Sequence, residues 1–286
     1  MEWALVGQGG VGLDSVYYHA NCPDGFGAAL AAWKKLGSAA HYDPILYGHP
    51  PVQVAPGTTV YFLDFSFDRG VLEQFASTAR SVIVLDHHTT AAEGLSDLPP
   101  PADFGAAGPR LSARFDMQKS GAVLAWEYFH SSQVPPLVSY IQDRDLWQWK
   151  LPHSREVAAG LRRIPRTFAD WDAYLYRIDE LRQIGIPILD YEHELTDHLV
   201  EDARPMTVGG VRVIAVNSPI LISEVCDRLM ELHPNVAIAC CYHDTQQATR
   251  VYSLRPRQGS DTDVAAIAGR FGGGGHKHAA GFTVPG

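Results

Sequence analysis

Ser81-Val-Ile-Val-Leu-Asp86-His87-His88-Thr89 puts four consecutive aliphatic residues directly ahead of an acid and two imidazoles. A short apolar run of this kind, closed by turn formers, predicts a buried strand over Ser81–Asp86. Two upstream runs have the same character, Val16–His19 and Thr58–Phe65. The Thr58–Phe65 run carries Asp64 near its end, and the first run leads into a loop that contains Asp24. Between them the alanines and Trp33 of Phe26–Leu36 suit a helix that stops at Gly37. Strand, helix, strand in that order predicts an α/β fold with a mostly parallel sheet. In such sheets ligands collect outside the carboxyl ends of the strands, which is where these acids fall.

Downstream, helical patterns occupy Gly121–Phe129, Leu137–Ile141 and Thr167–Leu181, and the Pro/Gly-rich stretch Asp97–Pro109 reads as a flexible surface loop. Asp190–Glu201 is polar with spaced apolar residues and ends before Arg204-Pro205, so it reads as a linker helix. Val211–Val216, Val236–Tyr242 and Arg250–Leu254 are strand-like, and the amphipathic helix Asp263–Phe271 is broken by Gly272–Gly275. The expected division is a large domain over 1–185, a linker helix over 186–205 and a smaller α/β domain over 206–286.

Composition narrows the function. The 286 residues are 46% apolar and 19% charged, enough for a core and unlike a disordered chain. Thirty-two acids against 23 bases give a net charge of −9, so no basic surface advertises duplex DNA or an anionic membrane. Cys22, Cys226, Cys240 and Cys241 are too few and too uneven for a disulfide framework, which points to a reducing cytoplasm. No apolar run reaches the ~18 residues of a membrane span. Met1–Ala4 has no basic segment before an apolar stretch, so no signal peptide is expected.

Chemistry concentrates in five places: His19-Ala-Asn-Cys22-Pro-Asp24-Gly25, Phe62-Leu-Asp64, Asp86-His87-His88, Gln142-Asp143-Arg144-Asp145-Leu-Trp147, and Gly272-Gly-Gly-Gly-His276-Lys277-His278. Carboxylates gathered at strand ends repel one another, and a divalent cation compensates them; hard oxygens plus imidazole suit Mn²⁺, Mg²⁺ or a borderline metal. The tetraglycine run lets backbone approach a ligand closely and offers N–H groups to a phosphate. Ser120-Gly121 opens a helix whose N–H groups could meet an anion, although an N-cap explains the serine equally.

Taken together, these motifs resemble the DHH phosphoesterase superfamily. Asp86-His87-His88 matches the signature triplet. Gly273-Gly-Gly-His276 followed by Ala279-Ala-Gly281 matches the DHH-associated C-terminal domain, and the resemblance runs from residue 16 to 283. It implies a hydrolase of the oligoribonuclease or single-strand exonuclease branch, using metal-activated water on short single-stranded oligonucleotides. Asp64 would bridge two metals, with Asp24, His87 and Asp143 on one and His19 and Asp86 near the other. His88 would face the scissile phosphate. Gly273, Gly274, Gly275 and His276 would grip a terminal phosphate or backbone, and Arg255 of Ser253-Leu-Arg255 would contact phosphate. Lys277 and His278 are read either as phosphate contacts or as solvated neighbours of the loop.

Cys22 stands where the family's first motif usually has an aspartate. It is either a metal ligand that shifts preference from Mn²⁺ or Mg²⁺ toward Zn²⁺, or a small buried apolar residue. Asp143 and Asp145 compete for the fourth position, two residues apart and unable to face the same way on a helix; Asp143 matches the family pattern better, and the alternative work for Asp145 is to cap the next element or pair with Arg144. Trp147 reads as helix packing, with base stacking as the alternative. The expected active site lies in the cleft between the domains, the exposed faces of the small domain leave room for a homodimer, and long duplex DNA and membrane are not expected partners. Two further readings use the same residues: a polyphosphate or pyrophosphate hydrolase, and a non-catalytic nucleotide-binding protein with a degenerate first metal site.

Overall fold

The structure is a computed structural model that describes residues 13–46 and 54–286, so the reading of Met1–Ala4 lies outside the described residues. The chain divides into two compact units, with the division between Ile186 and Pro187.

In the first unit, β1 (Asp14–His19), β2 (Ala40–Ile45), β3 (Thr59–Leu63), β4 (Ser81–Asp86) and β5 (Leu111–Phe115) form one sheet in the order β2-β1-β3-β4-β5. Every pairing is parallel. The chain leaves β1 to build β2 on one side, then returns to build β3 on the other. That reversal opens a crevice at the carboxyl ends of β1 and β3, the topological switch point of a doubly wound sheet.

Alternation along the strands fills two cores. Tyr61 and Leu63 of β3, with Ile83 and Leu85 of β4, face α1 (Pro23–Leu36) and, beyond α2 (Arg69–Thr78) and α3 (Thr89–Leu95) in the chain, α4 (Gly121–Phe129) and α5 (Pro136–Asp145). Val60, Phe62, Val82 and Val84 face α2. The alanines of α1 keep its packed face thin. A methyl at Gly27 would lie 3.0 Å from the Ala122 methyl and 3.2 Å from Ile141, so α1, α4 and α5 meet closely there. The unit continues through α6 (Ser154–Leu161) and α7 (Phe168–Ala173) to α8 (Ile178–Val200).

The central strands and Gly121–Phe129 fall where the sequence places them, but two edge strands escaped it. β2 contains Asp43 and Pro44, and β5 is only partly buried; edge strands have one unpaired side and need not be apolar. The expected helix over Thr167–Leu181 is two helices, because the chain turns over Tyr174–Arg177. The helix expected from Asp190 begins at Ile178 and carries Pro187 inside it.

In the second unit, β6 (Arg204–Val208), β7 (Val211–Asn217), α9 (Ile222–Leu232), β8 (Ile238–Asp244), β9 (Thr249–Pro256), α10 (Val264–Gly269), β10 (Gly274–His276) and β11 (Ala279–Pro285) follow one another. The sheet order is β10-β11-β9-β8-β7-β6, with β7 and β8 parallel and the other pairs antiparallel. α9 covers one face and α10 the other. The protein is therefore a mixed α/β molecule with a parallel-sheet unit and a smaller α/β unit. Among the described residues no helix is long and apolar enough to cross a membrane.

Candidate metal centre at the sheet switch point

Strand ends supply most of the cluster. His19 closes β1, Asp64 follows β3, and Asp86 closes β4 with His87 and His88 directly after it. Asp64 has a φ of 55°, a left-handed conformation that aspartate tolerates better than most residues and that often marks functional positions. α1 starts immediately under β1: a Cβ at Gly25 would lie 2.2 Å from the His19 carbonyl oxygen. Only glycine lets Asp24 sit at that point on the helix.

Asp24 is held by the N-terminus of α4. Its Oδ2 accepts from the Gly121 N–H at 2.6 Å and its Oδ1 from the Ala122 N–H at 3.0 Å. The anion that the Ser120-Gly121 helix start receives is thus a side chain of this protein, while Ser120 also caps the helix through Val123. A methyl on Gly121 would come within 2.5 Å of Asp64 Cβ, so glycine here is a condition of the cluster. The Asp24-Gly25 motif places Gly25 beside its acid, but nothing in the sequence ties Gly121 to Asp24 and Asp64, and only the close approach of distant elements reveals that link.

Three carboxylates converge on one nitrogen. His87 Nε2 lies 3.1 Å from Asp64 Oδ1, 3.5 Å from Asp145 Oδ2 and 3.7 Å from Asp24 Oδ2. Burial alone would lower the His87 pKa, but the Asp64 hydrogen bond and the charges of Asp145, Asp24 and Asp64 raise it to about 10. Burial pushes Asp64 upward, yet the hydrogen bonds from His19 and His87 and the nearby histidine charges win and hold it below the usual carboxylate range. Asp24 and Asp145 go the other way: burial and the neighbouring acids raise both. A proton on His87 is supplying the positive charge that this set of acids needs.

On the other side of Asp64, its Oδ2 faces His19 Nδ1 at 3.4 Å. The donor atoms of His19, Cys22 and Asp64 lie within 4.8 Å of one another, as do those of Asp24, Asp64 and His87, and those of Asp64, Asp86 and His88. Burial first, then the charges of Asp64, Asp145 and Asp24, raise the Cys22 thiol well above its ordinary value, so without a cation it stays neutral. Asp86 Oδ1 accepts from the His87 N–H at 2.7 Å, the His88 N–H at 3.3 Å and His88 Nδ1 at 2.6 Å. Burial lowers the His88 pKa, but the Asp86 charge and hydrogen bond outweigh it and the net shift is upward.

The residues fit divalent cations. Asp86 Oδ2 is buried and receives no hydrogen bond, and buried Asp64 Oδ2 has only the long His19 contact at 3.4 Å, a costly state that a cation removes. Asp64 belongs to all three of these donor groups, and oxygen, imidazole and a thiol together suit Mn²⁺ or a softer borderline ion.

Asp143, the acid the family pattern favours, stands apart from the cluster. It is buried, but its Oδ1 accepts from the Lys150 N–H at 2.9 Å and its Oδ2 from the Leu151 N–H at 3.2 Å. Both oxygens are spent on closing the turn after α5, in which Trp147 and Trp149 adopt positive φ. Asp145, two residues on, is the acid that reaches His87. Trp147 meets Trp149 edge to face, with Arg155 over both rings, which is a packing arrangement.

The remaining expected residues lie in the second unit. Arg255 is engaged with Ser223 Oγ and the Leu254 carbonyl. Gly273, Gly275, His276, Lys277 and His278 surround the β10–β11 hairpin. Methyl groups at Gly273 and Gly275 would strike the β11 backbone at 2.2 and 2.4 Å, whereas one at Gly274 meets nothing within 4 Å. Packing explains the first two glycines, and Gly274 is the one it does not require.

The α/β fold has counterparts among solved structures. Its solved neighbours include PggH, a pGpG-specific phosphodiesterase from Vibrio cholerae, at a TM-score of 0.51 and 13% identity, covering 96% of this chain and 93% of that one. An uncharacterized Helicobacter pylori G27 protein aligns at a TM-score of 0.37 and 15% identity over 95% of this chain and 93% of that one. In sequence, the chain is 28% identical over 298 residues to an uncharacterized protein of Acanthamoeba polyphaga mimivirus, covering 96% of this chain and 68% of the viral protein. No protein-family model matches the chain.

Proposed function

We propose that this protein is a divalent-metal-dependent phosphodiesterase that hydrolyses short single-stranded oligonucleotides. The observation that carries the reading is the convergence of Asp24, Asp64 and Asp145 on His87 Nε2 at the switch point, beside the buried Asp86 Oδ2 that lacks a donor. The pGpG-specific phosphodiesterase that shares the fold supports a phosphodiester as the substrate.

Asp24, Asp64, His87 and Asp145 would hold one cation, and His19, Cys22 and Asp64 a second, with Asp64 shared. When bound, such ions activate water and neutralise phosphoryl oxygens. Asp86 fixes the His88 ring through Nδ1 and its charge shifts the imidazole pKa upward, which leaves Nε2 to face a phosphoryl oxygen as charge develops. The α4 N-terminus keeps Asp24 in place through both of its oxygens. In the second unit, Gly274 and His276 are assigned to the substrate backbone.

The test is hydrolysis of a dinucleotide, a five-nucleotide RNA, a long single strand, a cyclic dinucleotide and polyphosphate, each with Mn²⁺, Mg²⁺, Zn²⁺ or chelator. Metal-dependent release of mononucleotides from the two short RNAs is expected, and its loss in Asp64→Asn. Phosphate release from polyphosphate alone would replace this reading by a polyphosphatase. Folded protein inert toward every substrate and metal would replace it by a binding role.

A further inference from the structure

The first unit contains a cavity of about 600 Å³ that opens beside Asp24 and Asp145, a size suited to a small organic ligand. Its apolar lining comes from Ile141 of α5, Val157 and Leu161 of α6, Ile164 and Trp171. Its polar side is guanidinium: Arg162, Arg163 and Arg166, with Arg144 from α5. Three arginines within five positions, and no acid from Val157 to Ala169, are conspicuous in a chain of net charge −9. Arg163 and Arg166 are exposed and, among the described residues, have no carboxylate partner.

This wall is built to hold its shape. Methyl groups at Gly160 and Gly185 would lie 1.9 Å from the Leu181 carbonyl oxygen and 1.7 Å from that of Glu156, so α6 and the start of α8 cross in backbone contact. The arginine segment is tied to α6 by the Arg163 N–H to the Gly160 carbonyl at 3.0 Å and the Ile164 N–H to the Leu161 carbonyl at 3.1 Å. Pro165 stiffens it further. Arginines after a helix also complement its dipole, but that role requires neither an apolar cavity nor a second carboxylate-lined end.

We propose that this cavity is a subsite for a nucleoside monophosphate moiety, with the base along the apolar lining at Ile164 and the phosphate between Arg163 and Arg166. Arginine forks match phosphate oxygens in pairs, and the apolar lining suits a flat base. The moiety would be one end of the substrate whose phosphodiester reaches the acids at Asp24 and Asp145; that link rests on the phosphodiesterase reading, whereas binding of the moiety does not.

The experiment is calorimetric titration of the metal-stripped full chain, in chelator, with adenosine 5′-monophosphate, adenosine and tripolyphosphate. The nucleotide is expected to bind, with adenosine weaker by about tenfold or more. Arg163→Gln/Arg166→Gln should raise the nucleotide Kd by about tenfold at unchanged Tm, and the double lysine variant should fall between. Equal nucleotide affinity in the glutamine variant and the natural protein, or no nucleotide binding, overturns the subsite. Arginine-dependent binding of tripolyphosphate without binding of the nucleotide overturns it too, in favour of a polyphosphate site. Arginine-dependent nucleotide binding in a protein that hydrolyses nothing keeps the subsite and removes the hydrolytic reading; hydrolysis with arginine-independent nucleotide binding does the reverse.

Discussion

Asp143 and Asp145 show how two residues of one type, two positions apart, come to do different work. Asp143 spends both oxygens on the Lys150 and Leu151 N–H groups, and Asp145 is the acid beside His87. Asp145→Asn should weaken Mn²⁺ binding by about tenfold or more with little change in the Tm of the metal-free protein. Asp143→Asn should instead lower that Tm, because it loosens a buried turn. Manganese titration and thermal melts of the two variants check this, and the opposite pattern would return the ligand role to Asp143. Residue spacing said that only one of the pair could face the cluster; which one depended on a backbone reversal through Trp147 and Trp149 that no local preference announces. His87 gives a second prediction. Its pKa rises from 6.5 to about 10 on folding, so its stabilisation is complete below pH 6.5 and is lost as pH rises through about 10. Metal-stripped protein should therefore lose Tm between about pH 7 and about pH 9.5, and His87→Gln should flatten that slope. Cys22, whose thiol is raised by burial, adds loss of the same sign above its ordinary pKa of 9.0, so the His87 share is the difference between the two proteins. An unchanged slope in the variant would show that His87 is not the charged group.

Among the elements, the β3 and β4 ends were readable because a buried strand in a parallel sheet is a plain aliphatic run, and an acid after it stands out. The edge strands β2 and β5 were not: His41 and Asp43 of β2 face solvent as those of a loop would, and in β5 Ser112 and Arg114 interrupt the apolar residues. Helix α4 was placed correctly, but its task was hidden, because the carboxylate it binds is 97 positions away in the chain. That contact makes Gly121→Ala informative. Alanine suits a helix better than glycine, so a purely local effect would stabilise the protein by up to about 1 kcal/mol. Its methyl would instead lie 2.5 Å from Asp64 Cβ, so the variant should melt lower and bind Mn²⁺ more weakly. A raised Tm with unchanged metal binding would mean that α4 can withdraw from the acids without consequence.

Across the whole molecule, a cation held by the acidic cluster would couple its binding to the stability of the first unit. Divalent ion at about a hundred times its Kd adds about 2.7 kcal/mol to a fold that alone can bind it, which raises Tm by about 5 °C or more for a unit of this size. Calorimetry with and without Mn²⁺ measures the shift, and its absence with Mn²⁺, Mg²⁺ and Zn²⁺ alike would remove the cation from the account. The strand order has a further consequence, for the time course of synthesis. Because β3 joins β1 on the side opposite β2, and the last acid at His87 comes from the end of α5, the donors are scattered from residue 19 to residue 145. A nascent chain on the ribosome thus carries dispersed acids and no cage until α5 has emerged and docked. Capture of a cation by these residues would then follow assembly of the unit and could not guide its early steps.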